Sequence, residues 1–234
     1  MRYIGLCLLF LVNSVCADQA VHVGDTKVLI KEIHHGKGKS FVHLHQNEVT
    51  ALKAAKYIVA KDGGSIMTLV HPGGARNVVF HLNNKTYEFD PNRIFSDKGI
   101  RKSLTQFGAY SPEAHKQVKK LAKAIVKSLP PGKIIAVHNN KQTYSFGDYL
   151  PGHSLASQAE HVNVKDTCRC RNFLLVTQMK DYLRLKKWNF NQVLQTKKPE
   201  DDGSLSVYLS KRDYINVEAG YNQLQAQVKM LQYA

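Results

Sequence analysis

Acidic residues are scarce in this sequence: eighteen Asp and Glu against thirty-three Lys and Arg leave a formal net charge of +15 over 234 residues. The imbalance draws the chain toward anionic partners, whether nucleic acid, acidic lipid surfaces or cell-wall polymers with carboxylate-bearing peptides. Cysteine is scarce too. Of the four, Cys7 and Cys16 fall near the N-terminus, and Cys168 and Cys170 stand one residue apart, where a bridge is strained; a disulfide framework is excluded. No apolar run approaches the roughly 20 residues that span a bilayer. The run Ile4 to Val12 follows Arg2 and precedes Val15-Cys16-Ala17, a small-residue cleavage pattern, so residues 1–17 read as a secretory signal peptide. The rest, 18–234, is expected to be extracytoplasmic, periplasmic or secreted, with no transmembrane segment, and its compartment argues against nucleic acid as a partner.

Repeats, low-complexity tracts and Pro/Gly/Ser linkers are missing as well, which leaves nothing to split the chain. With 43% hydrophobic residues, a single α/β domain fits best. Val21 to Ile33 and Ser40 to His45 read as strands, Val49 to Ala60 as a helix closed by Asp62-Gly63-Gly64, and Ser65 to Val70 as a short strand. Val78 to Leu82 and Lys85 to Phe89 flank Asn83-Asn84, a two-residue turn that tolerates positive φ, and form a hairpin. A long helix opens with Ser111 as N-cap and Pro112 in the first turn, and stops before Pro130-Pro131-Gly132. Its apolar face is Val118, Leu121, Ala122 and Ile125, and its lysines read as a solvated face. Lys133 to His138, Phe173 to Thr177, Leu205 to Leu209 and Tyr214 to Glu218 are expected strands. Met179 to Lys187 and Gln223 to Leu231 are expected helices.

Eleven histidines are many for this length, and spacing singles some out. His45-Gln46-Asn47-Glu48 puts an imidazole at a strand end and a carboxylate three residues on, at a helix start. One strand-to-helix turn can aim both at a point, as a catalytic zinc with nitrogen and oxygen ligands requires. His43 shares a strand face with His45 and offers an alternative ligand pair. A second block, Phe89-Asp90-Pro91-Asn92-Arg93-Ile94-Phe95, follows the hairpin and ends in a guanidinium beside a carboxamide. Val137-His138-Asn139 ends an apolar strand, and Ile215-Asn216-Val217-Glu218 sits on a late one.

In that order these blocks resemble the zinc carboxypeptidase superfamily, whose members pair an early His-x-x-Glu with a later Asp-x-Asn-Arg, a single His at a strand end and a Glu on a strand near the C-terminus. The resemblance spans Ser40 to Tyr221 and implies a mixed, twisted β-sheet flanked by helices. It further implies one zinc per chain held by His45, Glu48 and His138, with Glu218 as the base that moves protons between water and the leaving amine. Asn92 and Arg93 are implied as a clamp on a substrate carboxylate, and Arg76, by its separation from Arg93, as the oxyanion-stabilising arginine. Neither Tyr208 nor Tyr214 lies in a motif that would mark a catalytic tyrosine.

The expected activity is that of an exported zinc metallocarboxypeptidase acting on peptides with a free C-terminal carboxylate. Compartment and charge suggest peptidoglycan stem peptides and, as a partner, anionic cell-wall material. Asn-Arg-x-Phe at Asn92 to Phe95 also resembles the aspartoacylase and succinylglutamate desuccinylase branch, which makes a deacylase of N-acyl amino acids the alternative. Gln46, where that branch usually has Gly, and the signal peptide favour the peptidase. A second alternative is a non-catalytic basic protein that binds anionic surfaces.

Overall fold

The computed structural model describes residues 18–141 and 144–234. The signal peptide expected over 1–17, with Cys7 and Cys16, lies outside them. The described chain is a single α/β unit built on a nine-stranded mixed sheet. Strands β1 (Gln19–Val23) and β2 (Thr26–His35) form a hairpin, followed by β3 (Lys39–His43), helix α1 (Val49–Asp62) and β4 (Gly64–Val70). Strands β5 (Val78–Leu82) and β6 (Lys85–Phe89) form a separate two-stranded ribbon, and α2 (Asp97–Phe107) and α3 (Pro112–Ser128) come next. The remainder is β7 (Ile134–Asn140), β8 (Ala159–Asn163), β9 (Phe173–Val176), α4 (Met179–Leu185), β10 (Asn191–Gln195), α5 (Leu205–Tyr208), β11 (Tyr214–Gly220) and α6 (Leu224–Tyr233). The sheet order is β1-β2-β4-β3-β7-β11-β9-β10-β8. At its centre β4, β3, β7 and β11 run parallel.

Alternation along the central strands splits the core into two layers. Ile134 and Ala136 of β7 and Tyr214 of β11 pack with α2 and α3. Ile135, Val137, Ile215 and Val217 pack with α1, α4 and α6 on the other face. Period two therefore sends His138, Asn140, Asn216 and Glu218 toward the α2/α3 side, where the site lies. Asn139 points the other way, accepts from the Ala51 N–H at 2.8 Å and donates to Gln227 Oε1 at 2.9 Å, tying α1 and α6 to the strand end. The long helix is as read: the Ser111 hydroxyl accepts from Ala114 N–H, and Val118, Leu121, Ala122 and Ile125 are buried. Burying each larger member contributes roughly 1.5–3 kcal/mol.

Several elements differ from the sequence reading. Val21 to Ile33 is interrupted by a turn at Gly24-Asp25, where Gly24 takes φ +56° and a Cβ would meet the His81 carbonyl oxygen at 2.4 Å. Leu205 to Leu209 is not a strand but one helical turn capped by the Ser204 hydroxyl, which accepts from Val207 N–H. Helix α2 escapes the periodicity because its stripe is only Ile100 and Leu104 and because Gly99 sits in its first turn. That glycine is required by packing: a Cβ there would lie 2.3 Å from Gly203 Cα and 2.7 Å from the Arg93 carbonyl oxygen. Strands β8 and β10 were unreadable since β10 buries Asn191, Gln192 and Gln195. Asn191 spends its amide on the loop before β9, accepting from Lys165 and Asp166 N–H and donating to the Asp166 carbonyl.

Candidate metal centre and its cavity

The chain leaves β3 after His43, and a tight turn in which Glu48 N–H donates to the His45 carbonyl at 3.0 Å brings the two side chains of His-x-x-Glu to one side. Glu48 stands at the N-cap of α1 but makes no capping bond with its side chain. Its carboxylate goes to the site instead: Oε1 lies 2.9 Å from His45 Nδ1, and Oε2 lies 2.9 Å from His138 Nδ1. The two Nδ1 atoms are 3.2 Å apart. His45, Glu48 and His138 are all buried, and their donor atoms fall within 4.8 Å of one another, a group that can hold a metal ion.

The donor chemistry fits such an ion. Two nitrogens cannot satisfy each other by hydrogen bonding unless one is protonated, whereas a shared cation satisfies both and the carboxylate together. Ligands about 2.0–2.1 Å from a tetrahedral zinc stand roughly 3.3 Å from one another, close to the separations seen here. The second ring nitrogen of His45 is committed elsewhere: Nε2 lies 2.7 Å from Asp90 Oδ1. That bond keeps a ring proton on Nε2, so that Nδ1 is the atom that would give its lone pair to a metal on losing its own proton, the arrangement expected of a ligating histidine with a carboxylate behind it. Burial opposes charge on His45, but Glu48 and Asp90 together outweigh it and raise its pKa to about 9. The same histidines hold the Glu48 carboxyl well below its ordinary range in spite of its burial.

His43 does not join this group. Its Nε2 faces the Glu48 carbonyl at 3.1 Å and its Nδ1 faces Thr68 Oγ1 at 2.9 Å. Burial pulls its pKa down to about 4, so it is a neutral histidine bracing the turn. The ligand pair with His45 fails because the strand ends between them and the shared face is lost.

Glu218 stands opposite His138 in the β7/β11 register. Two carboxamides hold it: Asn216 Nδ2 donates to Oε1 at 3.0 Å and Asn140 Nδ2 donates to Oε2 at 3.2 Å. Both amides leave their own Oδ1 buried and without a partner. Turning either over would face an oxygen to the carboxylate; Asn140 is held in this orientation by the Arg171 carbonyl as well, to which its Nδ2 donates at 2.8 Å.

A cavity of about 620 Å³ opens over these groups and is lined by Glu48, His138, Glu218, Arg76, Asn92 and Arg93. Arg76 pairs with Glu48 and lies 3.4 Å from Asp90 Oδ2. Asp90 thus serves His45 and Arg76 at once, and their positive charge, acting against burial, keeps its carboxyl well below the ordinary range. It also caps the turn Pro91–Arg93, accepting from Asn92 N–H at 2.7 Å. Asn92 Oδ1 accepts from Leu205 N–H at 3.0 Å, fastening that turn to α5. The Arg93 side chain is 42% exposed; its Nη1 donates to the Asn92 carbonyl at 2.8 Å and its Nη2 lies 3.8 Å from Asp202, which leaves the outer part of the guanidinium accessible to a ligand.

Sequence reasoning missed Asp90 as the histidine's partner, the Asn140/Asn216 clamp, and Tyr144 and Tyr149. The two tyrosines line the cavity with their hydroxyls 2.6 Å apart, and burial pushes both pKa values up. Only Asp90 carried a signal, standing two residues before Asn92 in the quoted block. Of the two tyrosines considered from sequence, Tyr214 lines this cavity and Tyr208 lies at a different one, beside α3.

Compared with protein-family models, curated proteins and solved structures, the chain matches none.

Proposed function

We propose that this protein is a zinc-dependent amide hydrolase, a metallocarboxypeptidase that removes C-terminal residues from peptides outside the cytoplasm. The observation that carries the reading is the convergence of His45 Nδ1, His138 Nδ1 and the Glu48 carboxylate on one point in a cavity that Glu218 and Arg93 also line. Three protein ligands of nitrogen and oxygen type suit a catalytic zinc better than a structural one, which is closed by four.

Zinc held by His45, Glu48 and His138 would polarise the scissile carbonyl and bring the pKa of water to about 7. Asp90 keeps the His45 ring in the ligating tautomer. Glu218, aimed by Asn140 and Asn216, takes a proton from the attacking water and delivers it to the departing amine as the C–N bond breaks. Arg93 binds the terminal carboxylate with its fork, and Asn92 fixes the turn that presents it. Arg76, paired with Glu48 and Asp90, lines the same cavity and would bring positive charge toward the carbonyl oxygen as it gains negative charge. Stem peptides of peptidoglycan suit the basic charge and the expected compartment.

The test is hydrolysis by zinc-loaded protein of three matched substrates: an N-blocked dipeptide with a free carboxyl end, the same dipeptide amidated, and an N-acyl amino acid. Cleavage of the first alone supports the reading. Cleavage of the N-acyl amino acid alone would make the protein a deacylase, and cleavage of none would leave a binding protein.

A further inference from the structure

The segment Met179 to Phe190 has no part in the site, yet its surface is unusual. Helix α4 turns Tyr182, Leu185 and Asp181 inward and exposes the opposite side. At 100° per residue, Met179, Lys180, Leu183 and Arg184 share one arc of about 140°. Leu183 is 56% exposed, Met179 40% and, just beyond the helix, Trp188 42%. The indole rests 4.1 Å from the Tyr233 ring, centroid to centroid, which props it at the surface. Lys186 and Lys187 are exposed beside it, and among the described residues their ammonium groups have no ion-pair or hydrogen-bond partner. The one acid in the stretch, Asp181, is buried under Lys133 and Arg184.

We propose that this patch is a docking surface for an anionic lipid bilayer. Solvent-facing Leu183 and Trp188 beside the unpaired ammonium groups of Lys186 and Lys187, with Lys180 and Arg184 nearby but paired to Asp213 and Asp181, have the composition of an interfacial anchor: the apolar groups enter the headgroup boundary and the free cations meet lipid phosphates. Charge complementarity selects an acidic surface over a neutral one, and a protein of net charge +15 adds long-range attraction to it. A polyanion without an apolar interior would use the lysines and leave Leu183 and Trp188 wet. The patch also leaves the cavity clear. Strand β9 pairs Phe173 with Glu218 and Val176 with Ile215, so α4 departs from the end of β9 away from Glu218. The proposal is independent of the hydrolase reading.

The chain contains one tryptophan, so its emission reports this patch alone. Purified protein would be titrated with vesicles of phosphatidylcholine mixed with phosphatidylglycerol, and with phosphatidylcholine alone, following Trp188 emission and co-sedimentation. The expected result is a blue shift and sedimentation with the acidic vesicles only, weakening as salt is added. The pair Lys186→Gln and Lys187→Gln should lower the partition coefficient roughly 25-fold, about fivefold for each charge near the surface. Leu183→Ser should lower it about tenfold. All three positions are exposed, and unchanged circular dichroism would show that the variants fold. No shift with acidic vesicles, equal binding to neutral ones, or binding indifferent to these changes would overturn the proposal. So would binding of polyphosphate and acidic vesicles alike that needs the lysines and ignores Leu183.

Discussion

Glu218 and His138 are register partners on adjacent parallel strands, and both line one cavity. The pairing sets the proposed base beside the third proposed ligand with no loop between them, on two central strands of the sheet. Strand-borne groups hold their separation better than loop-borne ones, which matters where a displacement of an ångström costs catalysis.

One zinc per chain is expected after loading, and His45→Ala should lose it by elemental analysis. Asp90→Ala should retain the ligands but weaken metal affinity by about 10- to 100-fold, since the carboxylate behind a ligating imidazole sets its tautomer and basicity. Competition against a chromogenic chelator measures this. Equal affinity in the two proteins would remove Asp90 from the metal centre.

Glu218→Gln should keep zinc and lose hydrolysis by roughly 10²-fold or more. Asn216→Ala leaves the carboxylate but frees one of its oxygens, so kcat should fall while KM and zinc content hold. A change confined to KM would mean that the carboxamide binds substrate and does not orient the base.

Arg93→Ala should reduce kcat/KM for peptides with a free carboxyl end by about 10- to 150-fold, as expected for a charge-assisted bidentate contact of roughly 1.5–3 kcal/mol. The variant should cleave amidated peptides no worse than wild type does. Wild-type protein that treats free and amidated ends alike would leave Arg93 a surface cation.

Chelator-treated protein should show a His45-linked pH dependence. The folded-state pKa of about 9 lies above the ordinary 6.5, because Glu48 and Asp90 together overcome the cost of burial. Stability from this group is then full below about pH 6.5 and is lost as pH rises through 9. Urea unfolding of wild type against His45→Gln across that range measures it, and a difference that grows with pH would contradict the assignment. Zinc must displace the same proton, so uptake should release it and apparent affinity should fall about tenfold per pH unit below 9.

Local chemistry determined what the sequence alone could tell. The His45-to-Glu48 turn, the Asn83-Asn84 hairpin with both residues at positive φ and the capped helix from Pro112 all follow from neighbours a few positions apart. The strand bearing His138 was legible as a continuous apolar run, and that bearing Glu218 by its β-branched Ile215 and Val217. Tertiary structure decided the rest. The strand order places β7 between β3 and β11, and only that neighbourhood brings Glu48, His138 and Glu218 to one cavity, with His45 buried behind them. His43 looked equal to His45 by spacing and was separated from it by where the strand stops. Asp90, Asn140 and Asn216 act through hydrogen bonds whose partners are set by packing, so no periodicity announces them. Burial inverted the usual signals in β10, a strand built of buried amides, and in α4, where Leu183 faces solvent while Asp181 is turned inward. A sequence pattern reports what a residue type prefers, and these positions take their roles from the groups placed against them.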